Sequence, residues 1–348
     1  MKIAILTFAK GDNYGAVLQS YALGEWLRKK GHEVEYLYLT WTTVRYRITS
    51  SLTPLRRNFE SFRKKYLRNF SKECHNKSDL QKAVVGKDLV IAGSDQVWNP
   101  GITTWRACFY FLDFVPDNIR KISYAASFGK DVWEWPEMTH KVKSLLEKFD
   151  AVSVREKEGA KLCKEIFNVD AKVVLDPSFL IRDYKSLIQK PKYADHIVGF
   201  MFNPSKSYYD LLGRLKIMRG KNVLVMDLPS RKTTLSVFRF SISPFSKVTD
   251  WVTNIAYADY VVTDSFHCTA FAIIFKKQFI FIASNKKLVS RVSSLLDKLN
   301  IRDRIFDTPQ MAINKIDSLT PINYSQVSIK LEEARKESEI FLEEVLSL

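Results

Sequence analysis

Short runs rich in β-branched and aromatic residues alternate with amphipathic segments along most of the chain, and this pattern restricts the fold more than any other feature. Residues 2–7 form the first run and residues 33–39 form the second. Between them, apolar residues from Asn13 to Lys30 recur at helical spacing. A strand, a helix and a second strand in this order indicate a parallel sheet covered by crossover helices. We therefore expect an α/β fold that opens with a β-α-β unit.

The alternation continues in two series, which predicts two Rossmann-like domains. The chain has 348 residues, enough for two domains of about 150 residues each. We expect an N-terminal α/β domain over 1–187, a C-terminal α/β domain over 188–324, and a last helix over 325–348 that packs back across the junction. Further strands are predicted at 88–92, 121–125, 151–154 and 172–175, and then at 196–202, 222–228, 260–263 and 278–283. Helices of the second series are predicted at 205–219, 249–257, 266–275 and 289–299.

Half of the net positive charge of the chain lies in a short basic insertion of the N-terminal domain. The formal charge is +16, and residues 45–77 hold ten basic residues against Glu60 and Glu73. Apolar residues recur there every three or four positions, at Leu55, Phe59, Phe62, Tyr66 and Phe70. The spacing predicts one continuous basic amphipathic helix. Its apolar stripe can face the domain core, or the helix can also meet anionic lipid.

Composition and motif searches exclude several classes of protein. The chain has 12 glycines and no GxxxxGK[ST] or GxGxxG motif, which argues against a P-loop kinase or an ordinary nicotinamide dehydrogenase. No GxSxG, HExxH or CxxC motif occurs, so a serine hydrolase, a metal site and a disulfide framework are not expected. The scattered cysteines favour a reducing compartment. The longest apolar stretch, at 270–283, is interrupted by Lys276 and Lys277, so no membrane-spanning helix is expected.

Two candidate sites follow the strands predicted at 2–7 and 88–92, and open parallel sheets bind their ligands at such strand ends. The turn at 9–15 leads into a helix, and its candidate binding residues are Asn13, Tyr14 and Gln19. Helix capping is the alternative there. The run at 93–99 combines hydrogen-bonding side chains with an aromatic ring, which suits a sugar, and its candidates are Ser94, Asp95, Gln96, Trp98 and Asn99. An Asx turn with the tryptophan packed inward is the alternative.

Two more candidate sites follow the strands predicted at 151–154 and 260–263. Arg155 can grip a phosphate or a carboxylate through two hydrogen bonds, or it can pair with Glu156 at the surface. Asp264, Ser265 and His267 lie at the start of a predicted helix, where free N–H groups stabilise an anion. The histidine can act as a general acid or can simply pack in the core.

Together these segments resemble the polysaccharide pyruvyl transferase family. The matching motifs occur in family order over residues 1 to about 300, namely Asn13-Tyr14-Gly15 with Leu18-Gln19 and Tyr21-Ala22-Leu23, Gly93-Ser94-Asp95-Gln96-Val97-Trp98-Asn99, Tyr124-Ala125-Ala126-Ser127-Phe128-Gly129, Ser153-Val154-Arg155-Glu156, Leu175-Asp176-Pro177 and Thr263-Asp264-Ser265-Phe266-His267. Two positions depart from the pattern. Ser265 stands where some relatives carry an arginine, and Cys268 stands where a glycine is expected.

The resemblance implies a fold and a reaction. The fold is two Rossmann-like domains in a GT-B-like arrangement with the active site in the cleft between them. The reaction transfers a pyruvyl group from phosphoenolpyruvate to two hydroxyls of a sugar and forms a ketal; the donor is a substrate and no cofactor is expected. Arg155 and His267 match the family's functional positions, and Asp264 is expected to assist the histidine. Ser127 and Arg291 complete the candidate substrate-binding residues.

The resemblance also suggests what the basic insertion meets. In the family the acceptor is commonly part of a cell-surface polysaccharide, often built on a polyprenyl diphosphate at the inner leaflet. We expect a cytoplasmic protein that associates peripherally with the inner face of the membrane through its positive charge. A GT-B glycosyltransferase that uses a nucleotide sugar is the alternative function. A nucleic-acid partner is not expected, because no RRM, KH or helix-turn-helix pattern accompanies the charge.

Overall fold

The computed structural model describes residues 1–40, 54–226, 239–284 and 289–347, and the chain divides into two compact units. Unit 1 contains Met1–Arg56, Arg63–Ile181 and Leu331–Leu348. Unit 2 contains Arg57–Phe62 and Arg182–Lys330. Each unit is an α/β structure built on a parallel sheet, so the predicted fold class is confirmed.

Unit 1 is built on a five-stranded parallel sheet of order β3-β2-β1-β4-β5. Its strands are β1 (Lys2–Leu6), β2 (Glu33–Leu39), β3 (Phe70–Cys74), β4 (Leu89–Ala92) and β5 (Arg120–Ser123). A short parallel pair, β6 (Ser153–Val154) and β7 (Lys172–Val173), continues the sheet, because bridges join Ile122 to Ala151 and Ala126 to Val154. The central strand β4 is wholly buried, as expected of a parallel sheet covered on both faces.

The helices of unit 1 begin with α1 (Tyr14–Lys29), which Asn13 caps by accepting a hydrogen bond from the N–H of Ala16 at 3.2 Å. Arg28 and Lys29 lie in its last turn, where positive charge is favourable. Helix α2 (Pro54–Phe62) belongs to unit 1 up to Arg56 and to unit 2 from Arg57 onward. The other helices of unit 1 are α3 (Lys77–Ala83), α4 (Pro100–Thr103), α5 (Ala107–Tyr110), α6 (Thr139–Leu146) and α7 (Lys157–Phe167).

The basic insertion contains three elements where one continuous helix was predicted. Helix α2 ends at Phe62, a π-helical turn spans Arg63–Leu67, and Phe70 begins strand β3. Positive φ angles at Arg68 and Asn69, 40° and 50°, turn the chain between them. The prediction of one helix was wrong, because pairing of β3 with β2 is a tertiary contact that helical spacing does not reveal. The basic residues at 45 and 47 lie outside the described residues.

Unit 2 is built on a six-stranded parallel sheet of order β10-β9-β8-β11-β12-β13. Its strands are β8 (His196–Phe200), β9 (Val223–Val225), β10 (Ser241–Ile242), β11 (Ala258–Thr263), β12 (Gln278–Ile282) and β13 (Ile305–Phe306). Its helices are α8 (Lys206–Arg219), α9 (Val248–Ala256), α10 (Phe266–Ile274), α11 (Ser290–Lys298) and α12 (Pro309–Lys315). The short edge strands β10 and β13 were not predicted, and neither was β3.

The last helix, α13 (Tyr324–Ser347), begins in unit 2 and belongs to unit 1 from Leu331 onward. In unit 1, Arg335 Nε donates to the carbonyl oxygen of Phe179 at 2.6 Å. Ser338 Oγ accepts the N–H of Leu175 at 2.9 Å. These bonds confirm that the helix packs back onto the first unit. None of the helices in the described segments is long and apolar enough to span a bilayer.

Candidate functional site

Each main sheet contains one place where the chain reverses its direction of winding. In unit 1 this switch point lies between β1 and β4, and in unit 2 it lies between β8 and β11. Open α/β sheets bind ligands outside the carboxyl ends of the strands at such a point. The run at 93–99 directly follows β4, and the run at 264–267 directly follows β11. Both predicted motifs therefore stand at a switch point.

Arg155 forms the centre of a buried charge cluster in unit 1. Its side chain is fully buried, with Nη1 donating to Asp176 Oδ2 at 2.9 Å and Nη2 donating to Asp95 Oδ1 at 3.2 Å. Glu156 Oε2 lies 3.8 Å from Arg155 Nε. Burial alone would lower the pKa of Arg155, but the charges of these three carboxylates outweigh burial and hold it above its ordinary value. The cluster thus holds one fixed positive charge among three carboxylates.

A chain of hydrogen bonds links this cluster to the end of β1. Ser94 Oγ donates to Asp176 Oδ2 at 2.9 Å, and the carbonyl oxygen of Ser94 accepts Thr7 Oγ1 at 2.8 Å. The same threonine hydroxyl accepts Gln19 Nε2 at 2.8 Å. Gln19, a predicted binding residue, is fully buried and also donates to the carbonyl oxygen of Ala16. It therefore ties α1 to the ends of β1 and β4.

Asp95 is the most accessible carboxylate of the cluster. Its side chain is 13% exposed, whereas the side chains of Asp176 and Glu156 are fully buried. Its φ is +78°, in the left-handed region that an aspartate adopts only at a conformational cost. Oδ1 accepts the N–H of the next residue, Gln96, at 2.9 Å and also binds Arg155; an Asx turn would instead use the N–H two residues on. Among the residues that the structure describes, Oδ2 has no hydrogen-bond partner.

The rest of the motif at 93–99 holds two loops together. Ser127 donates its N–H to the carbonyl oxygen of Asp95 at 3.0 Å, and its Oγ accepts the N–H of Gly129 at 3.0 Å. Asn99 Nδ2 donates to Gln96 Oε1 at 3.0 Å, and Asn99 Oδ1 caps α4. Gly129 has a φ of +71°, and a Cβ there would lie 2.1 Å from Gln96 Oε1. Any other residue here would be strained by this φ and would displace the Gln96 side chain.

Trp98 packs inward, which was the alternative to sugar binding for the run at 93–99. Its indole N–H donates to the carbonyl oxygen of Tyr110 at 3.0 Å, and its ring stacks on Phe111 at a centroid distance of 5.2 Å. Tyr14 is also buried, at the start of α1. The structure therefore places both predicted binding residues among core side chains.

Arg63 is a buried residue that the sequence analysis counted as surface charge. Nη1 donates to the carbonyl oxygen of Gly11 at 3.0 Å, and Nη2 donates to Asp12 Oδ1 at 2.8 Å. The side chain is 2% exposed. Arg63 thus holds the turn between β1 and α1, and its position on the apolar stripe between Phe62 and Tyr66 was the signal that could have revealed its burial.

In unit 2, Asp264 is held by both neighbouring strand ends. Oδ1 accepts the N–H of Phe202, which follows β8, at 2.9 Å, and Oδ2 accepts the Ser284 hydroxyl, which follows β12, at 2.8 Å. Burial raises the pKa of Asp264, while these hydrogen bonds act in the opposite direction. Sequence reasoning missed both partners, although each lies at or just past the end of a predicted strand. Phe202 itself is 57% exposed.

The remaining candidates of unit 2 lie in or near two helices. Ser265 caps α10, with its Oγ accepting the N–H of Cys268 at 3.4 Å. His267 lies in the first turn of α10, is buried, and packs edge-on against Phe266 at a centroid distance of 5.2 Å. Arg291 is buried in α11. In the described residues of both units, no group of three or more histidine, cysteine, aspartate and glutamate side chains could hold a metal ion.

Comparison with known families identifies the group to which these motifs belong. The family model described as polysaccharide pyruvyl transferase matches residues 13–286, which include every motif described above. The chain belongs to the polysaccharide pyruvyl transferase family. Arg155 and His267 of this family member thus occupy the two motifs that the resemblance singled out. No curated protein sequence matches the chain.

Solved structures show that this family member has the GT-B type of fold. UDP-GlcNAc 2-epimerase from Neisseria meningitidis, bound to UDP-GlcNAc, aligns with a TM-score of 0.62 over 100% of both chains at 11% identity. S. aureus MnaA, in a co-structure with UDP, aligns with a TM-score of 0.59 over 100% of this chain and 98% of the other at 12% identity. The spinosyn forosaminyltransferase SpnP aligns with a TM-score of 0.53 over 100% of both chains at 11% identity. At these identities the likeness concerns the fold.

Proposed function

We propose that the protein transfers a pyruvyl group from phosphoenolpyruvate to two hydroxyls of one sugar and forms a cyclic ketal. The observation that supports this most is the position of the family motifs, because ionisable side chains of two of them stand at the switch points of the two sheets. The sugar belongs to a cell-surface polysaccharide or to its lipid-linked precursor.

The reaction balances with one donor and two hydroxyls. Protonation of the methylene carbon converts it to a methyl group and leaves an oxocarbenium-like carbon, which the first sugar hydroxyl attacks. The bond from that carbon to the phosphate oxygen then breaks, its electron pair leaves with the phosphate, and the second hydroxyl closes the ring. The two hydroxyls release two protons. One balances the proton given to the methylene carbon, and the other leaves on the phosphate.

His267 is the proton donor or the phosphate contact in this proposal. Histidine is a frequent general acid near neutral pH, and the first turn of α10 offers N–H groups that favour an anion. Asp264 orients the histidine or accepts a hydroxyl proton. Arg155 as a clamp on the donor stays a prediction, and that role would require its terminal nitrogens to leave Asp176 and Asp95.

The test measures phosphate release and ketal formation with a panel of methyl glycosides and short oligosaccharides. Mass spectrometry of the products identifies the acceptor and the pyruvyl ketal. Replacing His267→Gln should lower kcat by roughly 10²–10⁴-fold, the usual contribution of a general acid. His140→Gln, an exposed histidine in α6, is the matched control. Ketal formation by His267→Gln at the parent rate would exclude the histidine, and no ketal from any acceptor would exclude the function.

A glycosyltransferase that uses a nucleotide sugar is the second candidate. It is favoured by the fold neighbours whose structures contain UDP or UDP-GlcNAc. Thermal-shift measurements with phosphoenolpyruvate and with a set of UDP-sugars separate the two functions. Stabilisation by phosphoenolpyruvate alone supports pyruvyl transfer, and stabilisation by UDP-sugars alone supports the glycosyltransferase.

The basic insertion supports a cytoplasmic location at the inner membrane face, where a polyprenyl-diphosphate-linked acceptor would lie. Arg63 is unsuitable for lipid binding because it is buried, but Lys64, Lys65 and Arg68 are exposed. Since each basic residue near an anionic surface contributes about 1 kcal/mol, neutralising these three should weaken vesicle binding by about 100-fold.

Sedimentation with vesicles containing phosphatidylserine measures this effect. Neutralising Lys161, Lys164 and Lys172, which are exposed elsewhere in unit 1, removes the same charge and is the matched control. Equal binding of the two triple variants would contradict a role for the basic insertion.

A further inference from the structure

The burial and charge of the cluster around Arg155 do not suit the donor-binding role that the family resemblance implies for this residue. Its guanidinium has no exposed surface, and three carboxylates surround it. Phosphoenolpyruvate carries both a phosphate and a carboxylate, so an excess of fixed negative charge would repel it. A neutral sugar hydroxyl meets no such repulsion.

Asp95 is the member of this cluster that can reach a substrate. It is the one carboxylate of the three whose side chain keeps any accessible surface, 13%, and its hydrogen bonds to Gln96 and Arg155 both use Oδ1. Among the described residues, Oδ2 is left without a partner. The oxygen stands just past the carboxyl end of β4, at the switch point. A carboxylate with one oxygen anchored and the other open is suited to accept a proton.

The turn and the charge balance do not by themselves require an aspartate here. An asparagine Oδ1 can accept the same two hydrogen bonds, from the N–H of Gln96 and from Arg155, and asparagine tolerates a positive φ at least as well. Asp176 and Glu156 already exceed the single positive charge of Arg155, so a third carboxylate is not needed to neutralise it. Neither the hydrogen bonds at Oδ1 nor the charge balance therefore accounts for an acidic side chain at this positive φ.

We propose that Asp95 accepts the proton of an attacking sugar hydroxyl, and that Arg155 is a positioning residue that holds the carboxylate at Oδ1. This inference rests on the proposed pyruvyl transfer. As the hydroxyl oxygen forms its bond to the oxocarbenium-like carbon, the O–H bond breaks and the proton moves to Asp95 Oδ2. The carboxyl group later returns that proton to solvent or to the departing phosphate. Ser94 fixes Asp176, and Asp176 in turn fixes Arg155.

The first test replaces Asp95→Asn, which keeps the turn and removes the proton acceptor. We expect kcat for ketal formation to fall by roughly 10²–10⁴-fold, with the Kd for phosphoenolpyruvate unchanged by calorimetry. Asp95→Glu should recover part of the loss, and formate should partly rescue Asp95→Ala. Asp170→Asn, an exposed carboxylate of the same unit, is the matched control and should keep the parent rate. Parent-like kcat in Asp95→Asn would overturn the proposal.

The second test separates the two roles of Arg155. Arg155→Lys keeps the positive charge but cannot bridge Asp95 and Asp176 in the same way. A positioning residue predicts a large fall in kcat with the Kd for phosphoenolpyruvate unchanged. A rise in that Kd of tenfold or more would identify Arg155 as a donor clamp and overturn the inference. If the parent makes no ketal, the proposed function itself fails; if it does and Asp95→Asn does too, only the inference fails.

Discussion

The two switch points share one topology and differ in how they hold charge. In unit 1, the guanidinium of Arg155 and the carboxylates around it are buried, and side-chain hydrogen bonds connect them to β1. In unit 2, Asp264 is a single carboxylate held by backbone N–H groups and one hydroxyl, beside the exposed ring of Phe202. The same order of strands around the two switch points therefore does not determine the charges that lie there.

The two arrangements predict different losses of stability when a site residue is replaced. A buried ion cluster is destabilised greatly when one partner is lost, because the remaining charges stay in a medium of low dielectric constant. A carboxylate satisfied by neutral donors can be replaced by an amide of nearly the same shape at small cost. Unit 1 should thus tolerate the loss of Arg155 poorly, whereas unit 2 should tolerate replacement of Asp264 by an amide well.

The largest effect expected from this comparison is at Arg155. Replacing Arg155→Met should destabilise unit 1 by about 3–5 kcal/mol, because three carboxylates lose their shared positive charge. Urea unfolding followed by hydrogen exchange of β4 and β5 measures the loss. A variant as stable as the parent would show that the cluster contributes little to the stability of unit 1.

A smaller effect is expected from acid, and it should appear in unit 2. Burial, and to a lesser extent the charge of Lys277, lowers the pKa of His196 to about 4. As the pH falls from about 6.5 to about 4, the unfolded chain binds a proton that the folded unit excludes, so stability falls by up to about 3 kcal/mol.

Hydrogen exchange of β8 at several pH values measures this acid effect. His196→Gln should remove the slope, while exchange of β1 in unit 1 serves as the internal reference. An unchanged slope in the variant would assign the acid response to other groups.

The smallest effect is expected at Asp264. Because burial raises its pKa above the ordinary 3.8, ionisation of this carboxyl costs stability as the pH rises from 3.8 through the raised value. Asp264→Asn should therefore gain stability relative to the parent over this range, and the total change should stay within about 1 kcal/mol. Urea midpoints at acid and neutral pH measure it. A loss comparable to that of Arg155→Met would contradict the contrast between the units.

The central strands of both sheets were predictable, whereas the edges were not. The strands β1, β4, β8 and β11 are apolar runs that are almost wholly buried, and such runs carry a clear signal. The edge strands β10 and β13 have two residues each, too few to show a pattern. Strand β3 was hidden because Phe70 continues a helical spacing that the turn at Arg68 and Asn69 interrupts.

The positions of the site residues along the strands were predictable, but their contacts were not. Strand-end motifs predicted that Asp95, Arg155 and Asp264 follow strands, and in the structure they follow β4, β6 and β11. The side chains that contact one another in the site lie far apart in sequence. Ser94 and Asp176, which form a hydrogen bond, are 82 residues apart, and no local pattern pairs them. The same limit applies to Arg63, whose burial depends on the loop carrying Asp12. The local sequence shows which side chains lie at a strand end, and only the tertiary structure shows which of them are buried.

If Asp95 accepts the hydroxyl proton as proposed, its positive φ places stability and activity in opposition at a single position. In a mutational scan that selects only for folded protein, asparagine should be enriched at residue 95, because it keeps the turn, suits the backbone and relieves the crowding of like charges. In a scan that selects for ketal formation, aspartate should be retained. A designer who stabilised this protein by computed energy alone would then remove the proposed proton acceptor.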